Sequence, residues 1–399
     1  MRRLASVLAG LAAVAGGVAT SPALAGSQPT APCAEPAPAQ TGPAPASAAT
    51  PDDPGQLTEY CYSAAGLPPR DYFVYVPNLP EPTDGWPILV FLHGCEQNSR
   101  DVALGTRFDN LADHPRAGMS PFVVVYPQQT VAQNSSAPLA DGNGAACWNW
   151  FLPEDQHAGS GEPATIAGIT NLVRKLEDGD RRRVYVDGIS AGADMSVILG
   201  ATYPNVYAAI GAVAGCAYAT CADETGQLAY QEMQHAPGGA RVVPAFVEQG
   251  TGDTLNAFPL GQGLVQGWLG TDDLADDGQM NGSVSHTPTS IQNFDFSQTP
   301  QPGTGNICEP KNSTFPCPGG AVGFQGSYPY TVEHFGSTTV CPTQDVLQFW
   351  VVHGLEHAYP DGDYRATFTD PLGPDITTAA WTFFSQHPMD TCKTGGGHS

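Results

Sequence analysis

The segment Arg183-Val184-Tyr185-Val186-Asp187-Gly188-Ile189-Ser190-Ala191-Gly192-Ala193 decides the fold. Its β-branched and aromatic start leads into Gly188-x-Ser190-x-Gly192, and an apolar stretch with helical spacing follows. The order strand, sharp turn, helix holds a serine in a strained backbone conformation that needs small neighbours. We therefore predict that Ser190 is a nucleophile at the carboxyl end of a parallel strand, beside a helix N-terminus. The alternative is an ordinary tight strand–helix connection.

The first 25 residues have the pattern of a secretory signal peptide. Arg2 and Arg3 form a basic start, residues 4–18 are apolar, and Ala23-Leu24-Ala25 offers a small-x-small cleavage site. No later stretch is long and apolar enough to span a bilayer. We expect a secreted, extracellular protein.

The composition changes along the chain and predicts its organisation. Residues 26–55 are rich in Pro, Ala, Ser and Thr and predict a flexible leader. One α/β domain is expected over 56–392, followed by a short tail, 393–399. Within the domain, 271–342 has little periodicity and is predicted to be a loop-rich insertion before the last strand. Its acids at 272, 273, 276 and 277 lack the spacing of a calcium loop and predict a solvated acidic turn.

The formal net charge is −24 at pH 7, from 39 acidic and 15 basic residues. This excess of acids argues against nucleic acid or an anionic membrane as a partner. The acids are scattered along the sequence, which is typical of a protein kept soluble by its surface charge. We expect a monomer.

All ten cysteines follow the signal segment. An even number in an exported chain indicates disulfides. The sequence contains no CxxC pair that would suggest a metal site instead. Spacing alone leaves the connectivity open. The pairs that it suggests are Cys216 with Cys221, Cys308 with Cys317 and, over a longer separation, Cys33 with Cys61.

A second chemical signal precedes Ser190 in the chain. The continuous apolar run 87–92 predicts a central parallel strand, and it ends in His93-Gly94-Cys95. A strand that ends in His-Gly ahead of the nucleophile turn is where hydrolases of this strand order place an oxyanion-hole amide. A plain strand–helix turn containing glycine is the alternative.

One acid is preferred as the partner of Ser190. The strand predicted over 242–247 is followed by Asp253, and the expected chain order is serine, acid, histidine. Asp223 is the alternative, but it follows an earlier strand in a loop bounded by cysteines.

One histidine is preferred as the base. The last strand is predicted over 346–352, and His357 lies in the loop just past its end. His353 still belongs to the strand terminus and is expected to be buried or hydrogen-bonded.

An aromatic cluster, Cys147-Trp148-Asn149-Trp150-Phe151, lies in a loop-rich region. It is interpreted either as packing within a disulfide-tied loop or as an apolar substrate wall, since loops at the carboxyl edge of a sheet line the site. The candidate substrate-binding residues are Trp148, Trp150 and Tyr359.

Several motifs together resemble one family. They are His93-Gly94-Cys95 with Gln97-Asn98, Tyr126-Pro127, Cys147-Trp148-Asn149-Trp150-Phe151, Gly161-Glu162-Pro163-Ala164, Arg183-Val184-Tyr185-Val186 with Ser190-Ala191-Gly192, Tyr203-Pro204, Gly354-Leu355-x-His357-Ala358-Tyr359-Pro360 and Gly373-Pro374-Asp375. The chain resembles the extracellular polyhydroxybutyrate depolymerase family of esterases, which also holds feruloyl and acetylxylan esterases. The resemblance covers 57–270 and 343–390.

The resemblance implies an α/β-hydrolase fold, with a mostly parallel sheet flanked by helices. It implies no metal or organic cofactor. The residues it assigns are Ser190, Asp253 and His357 as the triad, the backbone amides of Cys95 and Ala191 as the oxyanion hole, and Cys95 with Cys147 as a disulfide.

The chain departs from the family pattern at three places. Gln249-Gly250 stands where His-Gly is frequent, Gly192-Ala193-Asp194-Met195 where Gly-Gly-Ala-Met is frequent, and Tyr359 where Trp is common. The substrate first expected is an aliphatic polyester such as polyhydroxybutyrate or its oligomers. A feruloyl or acetylxylan ester of the plant cell wall is the alternative, and a non-catalytic binding protein on a hydrolase scaffold is a third interpretation.

Overall fold

A computed structural model describes residues 54–67, 69–130, 145–295, 328–341 and 344–389. The predicted signal peptide, nearly all of the leader, the Cys308–Cys317 pair and the C-terminal tail lie outside these ranges. In the described part of the chain, no helix is long and apolar enough to cross a lipid bilayer.

Within the described ranges, ten strands form one sheet in the order β1-β2-β4-β3-β5-β6-β7-β10-β9-β8. The strands are β1 (Gln56–Tyr62), β2 (Arg70–Val76), β3 (Trp86–Leu92), β4 (Val123–Pro127), β5 (Gly179–Gly188), β6 (Ala209–Val213), β7 (Ala245–Gly250), β8 (Ser290–Phe294), β9 (Tyr330–Phe335) and β10 (Leu347–Val352). The six strands from β4 to β10 in this order are parallel to one another. Strands β1 and β2 at one edge and β9 and β8 at the other pair with their neighbours in antiparallel fashion. A separate pair, β11 (Tyr359–Pro360) and β12 (Thr369–Asp370), lies after β10.

In the residues that the structure describes, seven helices cover the sheet. They are α1 (Ser99–Thr106), α2 (Phe108–Asp113), α3 (Gly161–Leu176), α4 (Ala191–Thr202), α5 (Gln227–His235), α6 (Phe258–Asp277) and α7 (Ile376–Gln386), and short helical turns occur at Pro153–Gln156 and Tyr218–Cys221. Helix α1 is capped by Asn98, whose side chain accepts the backbone N–H groups of Arg100 and Asp101 in the first turn. Helix α7 is capped in the same way by Asp375, whose side chain accepts the Thr378 backbone N–H.

Both faces of the central part of the sheet are buried. One apolar core packs β-strand residues against α3, α4, α5 and α6, and the other packs the opposite face against α1, α2 and α7. Strand β3 is buried along its whole length, as the continuous apolar run predicts for a central parallel strand. Helix α4 is buried at all of its residues because it follows the Ser190 turn into the middle of one layer. The architecture is therefore a three-layer α/β/α arrangement.

The region predicted to be a loop-rich insertion contains more regular structure than its composition indicates. Helix α6 continues to Asp277, and β8 and β9 extend the sheet beyond β10. The sequence missed β8 because the strand lies at the sheet edge and has no buried side chain, so it shows no apolar alternation.

The prediction of a solvated acidic turn at 272–277 is wrong for its first two acids. Asp272 and Asp273 lie inside α6 and are completely buried. Asp272 accepts a hydrogen bond from the Val243 N–H, and Asp273 accepts the N–H groups of Gly282 and Val284. These two carboxyls therefore hold loops against the helix instead of facing water.

Two predicted disulfides are confirmed, Cys95–Cys147 and Cys216–Cys221. Cys61 and Cys341 are also disulfide-bonded. The partner predicted for Cys61, Cys33, lies outside the described residues.

Candidate active site

The residues predicted to form the triad and the oxyanion hole lie at one edge of the sheet. Each follows the carboxyl end of a parallel strand: Gly94 and Cys95 follow β3, Ser190 follows β5, Asp253 follows β7, and His357 follows β10. Because parallel strands end at the same edge, the fold brings these four loops together. This edge is the candidate active site.

Ser190 has a backbone conformation that is unusual for a residue with a side chain. Its φ is 57° and its ψ is −123°, and helix α4 starts at the next residue. A Cβ atom on Gly188 would lie 2.5 Å from the Gly192 backbone, and one on Gly192 would lie 2.1 Å from the Leu92 carbonyl oxygen. Both glycines are therefore needed for the close approach of the turn to β3, which fixes where the Ser190 hydroxyl stands.

The loop after β3 lies directly against Ser190. A Cβ atom on Gly94 would be 3.2 Å from the Ser190 Cβ atom. Within the described part of the chain, neither the Cys95 N–H nor the Ala191 N–H donates a hydrogen bond. Two backbone donors beside a serine hydroxyl are the arrangement that stabilises a developing oxyanion.

Several bonds fix the loop that carries Cys95. The Gln97 side chain accepts the Gly94 N–H at 2.9 Å and donates to the Thr367 carbonyl at 2.8 Å. The disulfide to Cys147 adds a covalent link to the aromatic loop. From the sequence, Gln97 is recognised only as part of a motif, because its partner Thr367 lies 270 residues away in the chain.

Asp253 and His357 form a hydrogen-bonded pair. His357 Nδ1 lies 2.7 Å from Asp253 Oδ2, and the Asp253 side chain is fully buried. The other carboxylate oxygen accepts the Leu255 and Asn256 backbone N–H groups at 2.8 and 2.9 Å. Because an ionised carboxylate only accepts, the His357 proton resides on Nδ1 and Nε2 is left as a basic nitrogen.

The alternative acid and base have other roles. Asp223 accepts the Leu228 and Ala229 N–H groups and so satisfies the first turn of α5. His353 is exposed, and its Nε2 is hydrogen-bonded to Thr331 Oγ1. Neither is bonded to the Asp253–His357 pair.

Two of the three predicted substrate-binding side chains lie in the core. Trp148 is fully buried and packs near His93 and Arg70, while Tyr359 packs on Phe91. Neither presents a surface to a substrate, so their predicted contacts are corrected to packing roles. The sequence could not separate these possibilities because both kinds of position favour aromatic residues.

The apolar surface near the site comes from other positions. Trp150 is partly exposed, and its neighbour Phe151 is 42% exposed. Leu255, two residues after Asp253, is 57% exposed. Leu255 was not predicted, although its place two residues after a candidate triad acid was a usable signal.

A buried polar cluster lies behind the disulfide-tied loop. Arg70 and Gln129 are hydrogen-bonded, and Gln129 also donates to Glu162 and to the Cys147 carbonyl. Glu162 accepts the Asn149 N–H at 2.7 Å. Burial raises the pKa of the Glu162 carboxyl to about 7, against the opposing effect of the Arg70 charge. This cluster fixes the backbone of the aromatic loop from behind.

His93 belongs to the same support and not to the chemistry. It is completely buried, its Nδ1 contacts the Gly94 carbonyl, and its Nε2 accepts the Gln129 N–H. Burial lowers the pKa of His93 to about 4. The ring is therefore neutral at physiological pH and acts as a fixed link between two loops.

Three further acids are buried beneath the site. Asp187, Asp194 and Glu248 are at most 5% exposed. Burial raises the pKa of Asp187 to about 7 and that of Asp194 to about 8, and it raises the pKa of Glu248 well above its usual value. Asp194 also accepts the Cys216 N–H, which ties the second disulfide loop to α4.

Residues 71–249 match the family model described as "Esterase PHB depolymerase". This segment is similar to that family. It contains the Cys95 loop and the Ser190 turn, whereas Asp253 and His357 lie beyond the matched range. The resemblance predicted from the sequence is confirmed.

Three similar proteins carry names of ester hydrolases. Poly(3-hydroxyalkanoate) depolymerase C of Paucimonas lemoignei is 31% identical over 166 residues, which are 42% of this chain and 33% of that protein. Acetylxylan esterase A of Emericella nidulans is 29% identical over 171 residues, which are 41% of this chain and 50% of that protein. Feruloyl esterase B of Neurospora crassa is 28% identical over 173 residues, which are 43% and 52% of the two chains. This chain thus spans between a third and about half of the length of these relatives.

Among solved structures, the chain is similar to an acetyl xylan esterase from Aspergillus awamori. The TM-score is 0.51 at 17% sequence identity, and the match covers 79% of this chain and 94% of that chain. At this identity the likeness concerns the fold alone. The predicted α/β-hydrolase fold is confirmed.

Proposed function

We propose that this protein is a serine esterase that hydrolyses a carboxylic ester through an acyl-serine intermediate. The observation that carries the proposal is the hydrogen-bonded Asp253–His357 pair, which lies at the same sheet edge as the strained Ser190 turn. The family of residues 71–249 supports the same chemistry. A non-catalytic binding role gives no reason for this arrangement.

The proposed first step forms the acyl-enzyme. The Ser190 Oγ attacks the ester carbonyl carbon while His357 Nε2 takes the hydroxyl proton. Asp253 holds the imidazole through Nδ1 and stabilises its charged form. The carbon–oxygen bond to the alcohol then breaks, and the alcohol leaves with the proton from His357.

The second step returns the enzyme to its starting state. Water attacks the carbonyl carbon of acyl-Ser190 while His357 Nε2 takes a proton from the water. The bond between the acyl carbon and Ser190 Oγ then breaks, His357 returns the proton to Ser190 Oγ, and the acid product leaves. In both steps the N–H groups of Cys95 and Ala191 bind the carbonyl oxygen as it gains negative charge. One such donor typically contributes about 3–4 kcal/mol to transition-state stabilisation.

For the substrate we propose an aliphatic polyester such as polyhydroxybutyrate or its oligomers. Exposed apolar side chains on two loops of the site, Phe151 and Leu255, support contact with a hydrophobic chain. The depolymerase from Paucimonas lemoignei supports the same class. The alternative is a feruloyl or acetylxylan ester, which the other named relatives favour.

A parallel assay separates these substrates. The enzyme is incubated with polyhydroxybutyrate film, 3-hydroxybutyrate oligomers, methyl ferulate and acetylated xylan, with Ser190→Ala as the blank. We expect soluble 3-hydroxybutyrate products from the film or the oligomers. Release from the two plant esters alone would contradict the polyester proposal and leave the esterase proposal standing.

We also propose that the enzyme is exported and acts as a monomer without a cofactor. The basic and apolar start of residues 1–25 supports export, and so do the disulfides Cys95–Cys147 and Cys216–Cys221. N-terminal sequencing of protein recovered from culture medium checks this, with a start close to residue 26 expected.

A further inference from the structure

Gln249 contacts the proposed triad directly. It is the second-last residue of β7 and is completely buried. Its Nε2 donates to Asp253 Oδ2 at 3.1 Å and to the Asn256 carbonyl oxygen at 2.8 Å. Both N–H bonds of the carboxamide are thus used within the loop that carries Asp253.

The orientation of this carboxamide is decided by its neighbours. A flipped amide would place Oε1 against a carboxylate oxygen and a carbonyl oxygen, neither of which can donate. In the orientation observed, Oε1 is buried and has no hydrogen-bond partner in the described part of the chain. Leaving a buried acceptor unpaired has a free-energy cost, so the two bonds formed by Nε2 outweigh it.

The bonds to Asp253 divide between its two oxygens. Oδ1 accepts the backbone N–H groups of Leu255 and Asn256, while Oδ2 accepts the Gln249 side chain and contacts His357. Gln249 therefore shares one carboxylate oxygen with His357. Its bond to the Asn256 carbonyl also holds the turn whose N–H groups bind the other oxygen.

The charges around Asp253 make this donor important. Glu248 precedes Gln249 and is buried with both carboxyl oxygens lacking a hydrogen-bond partner among the described residues, and Asp187 on β5 faces it. His357 is the other ionisable group that contacts Asp253. A neutral donor on Oδ2 stabilises the Asp253 carboxylate without adding a charge to this acidic surrounding.

We propose that Gln249 is a positioning residue for catalysis, which orients the Asp253 carboxylate and moderates the charge that it presents to His357. The inference rests on the proposed triad. It concerns a position where the chain departs from the His-Gly of the family it resembles.

The structure reserves space for this side chain. A Cβ atom on Gly261, in the first turn of α6, would lie 2.9 Å from Gln249 Cβ, Cγ and Oε1. A residue larger than glycine there would press the carboxamide away from its partners. By contrast, a Cβ atom on Gly263 would meet Glu224 at 3.4 Å, which is an ordinary contact.

The first test replaces the carboxamide. Gln249→Met keeps the length and volume without a donor, and Gln249→Glu keeps the shape but replaces the NH2 group by oxygen. For hydrolysis of p-nitrophenyl butyrate we expect kcat to fall roughly 10- to 100-fold in the Met variant, with KM changed less than about threefold. Gln249→Glu should lose more activity at alkaline pH, because a second carboxylate then opposes Asp253.

The pH–rate profile distinguishes positioning from a structural defect. Without the Gln249 donor, Asp253 stabilises the protonated form of His357 more strongly. The acidic limb of the profile, where kcat rises with pH as His357 loses its proton, should therefore move to higher pH. A variant that only folds poorly would lower the rate at every pH without moving this limb. Gln348→Leu, on the neighbouring strand β10, is the matched control and should keep the wild-type limb.

The second test leaves Gln249 in place. Gly261→Ala should lower kcat and move the acidic limb in the same direction, whereas Gly263→Ala should do neither. Both replace glycine by a better helix former in the same helix, so helix stability does not explain a difference between them. This pair also keeps the proposal testable if a Gln249 variant fails to fold.

Two further variants distinguish a failure of the Gln249 proposal from a failure of the proposed esterase function. Ser190→Ala and Asp253→Asn are measured beside the other variants. If both abolish hydrolysis while Gln249→Met and Gly261→Ala retain wild-type kcat and acidic limb, the positioning role is wrong and the esterase stands. If Ser190→Ala is fully active, the proposed triad itself is wrong.

Discussion

At the scale of single residues, Ser190 and Asp253 are fixed by different means. Ser190 is held by backbone strain and by glycines whose Cβ positions are occupied by β3. Asp253 is held by four N–H donors, from Leu255, Asn256, Gln249 and His357. The backbone thus positions the proposed nucleophile, while hydrogen bonds position the proposed acid.

Asp253→Asn should abolish most of the activity without unfolding the protein. The amide preserves the shape but removes the negative charge that stabilises protonated His357, and it favours the wrong tautomer of the ring. We expect kcat to fall by about 10³–10⁴, as for the equivalent change in serine proteases. Hydrolysis of p-nitrophenyl butyrate and thermal unfolding measure the two effects.

Asp223→Asn is the matched control for that change. It removes the charge from the other acid that the sequence offered, which caps α5. We expect a lower Tm and nearly unchanged kcat. If Asp223→Asn loses activity as severely as Asp253→Asn, the assignment of the acid is wrong.

Single residues could be predicted from the sequence where the local backbone geometry requires a particular residue type. The glycines around Ser190 and the order of serine, acid and histidine along the chain could be read directly. Gln249 was noticed only as a departure from a family pattern, because its partners Asp253 and Asn256 are set by a folded turn. For Trp148 the sequence leaves packing and substrate contact open, because a sequence does not reveal which aromatic side chains become buried.

At the scale of elements, the central parallel strands were the most predictable part of the fold. Strands β3 and β10 are apolar runs that need no partner to be recognised. Strand β1 was missed because most of its residues are only partly buried, and edge strand β8 is exposed. Edge strands depend on pairing with a neighbour, which local sequence does not record.

The two disulfides should differ in their effects. Cys95–Cys147 joins residues 52 positions apart, and Cys216–Cys221 joins residues 5 apart. Chain entropy predicts a loss of about 4 kcal/mol on removing the first and about 2 kcal/mol on removing the second. The double variants Cys95→Ala/Cys147→Ala and Cys216→Ala/Cys221→Ala are compared by denaturant unfolding.

Activity provides a second comparison between these variants. Removing Cys95–Cys147 also frees the loop that carries a proposed oxyanion amide, so kcat should fall at temperatures where the variant remains folded. Removing Cys216–Cys221 should affect kcat less. Equal losses of kcat in the two variants would contradict a special role for the Cys95 loop.

At the scale of the whole molecule, the acidic composition has a consequence that the sequence did not indicate. The scatter of the acids along the sequence predicts solvated surface charge, yet several of these acids are buried. Burial raises the pKa of Glu162, Asp187 and Asp361 to about 7 and that of Asp194 to about 8. Burial follows from tertiary packing, which is why composition alone gave the wrong location for these groups.

Because of these raised pKa values, we expect the free energy of unfolding to fall as the pH rises from 5 to 8. A carboxyl whose folded pKa is raised keeps a proton that the unfolded chain has already lost, so its contribution is complete near pH 4 and lost as the pH passes its folded pKa. Each retained proton changes the free energy of unfolding by about 1.4 kcal/mol per pH unit. The lowered pKa values of His93 and His387 act in the opposite direction only below about pH 6.5.

Thermal unfolding at pH 5, 6.5 and 8 checks this dependence. We expect Tm to decrease from pH 6.5 to 8, where the histidines no longer contribute. Asp187→Asn, which has no proton to lose, should show a smaller decrease. A Tm that is constant or rises over this range would contradict the burial of protonated acids.

Covalent labelling of Ser190 is the most direct test of the central claim, that this serine is the nucleophile of an ester hydrolase. The protein is treated with a fluorophosphonate, and intact mass and peptide mapping locate the adduct. We predict one adduct, on Ser190, and a loss of p-nitrophenyl butyrate hydrolysis in proportion to labelling. Ser190→Ala should form no adduct, and Asp253→Asn should be labelled more slowly than the wild-type protein. Hydrolysis that persists in fully labelled protein, or an adduct on another residue, would contradict the account.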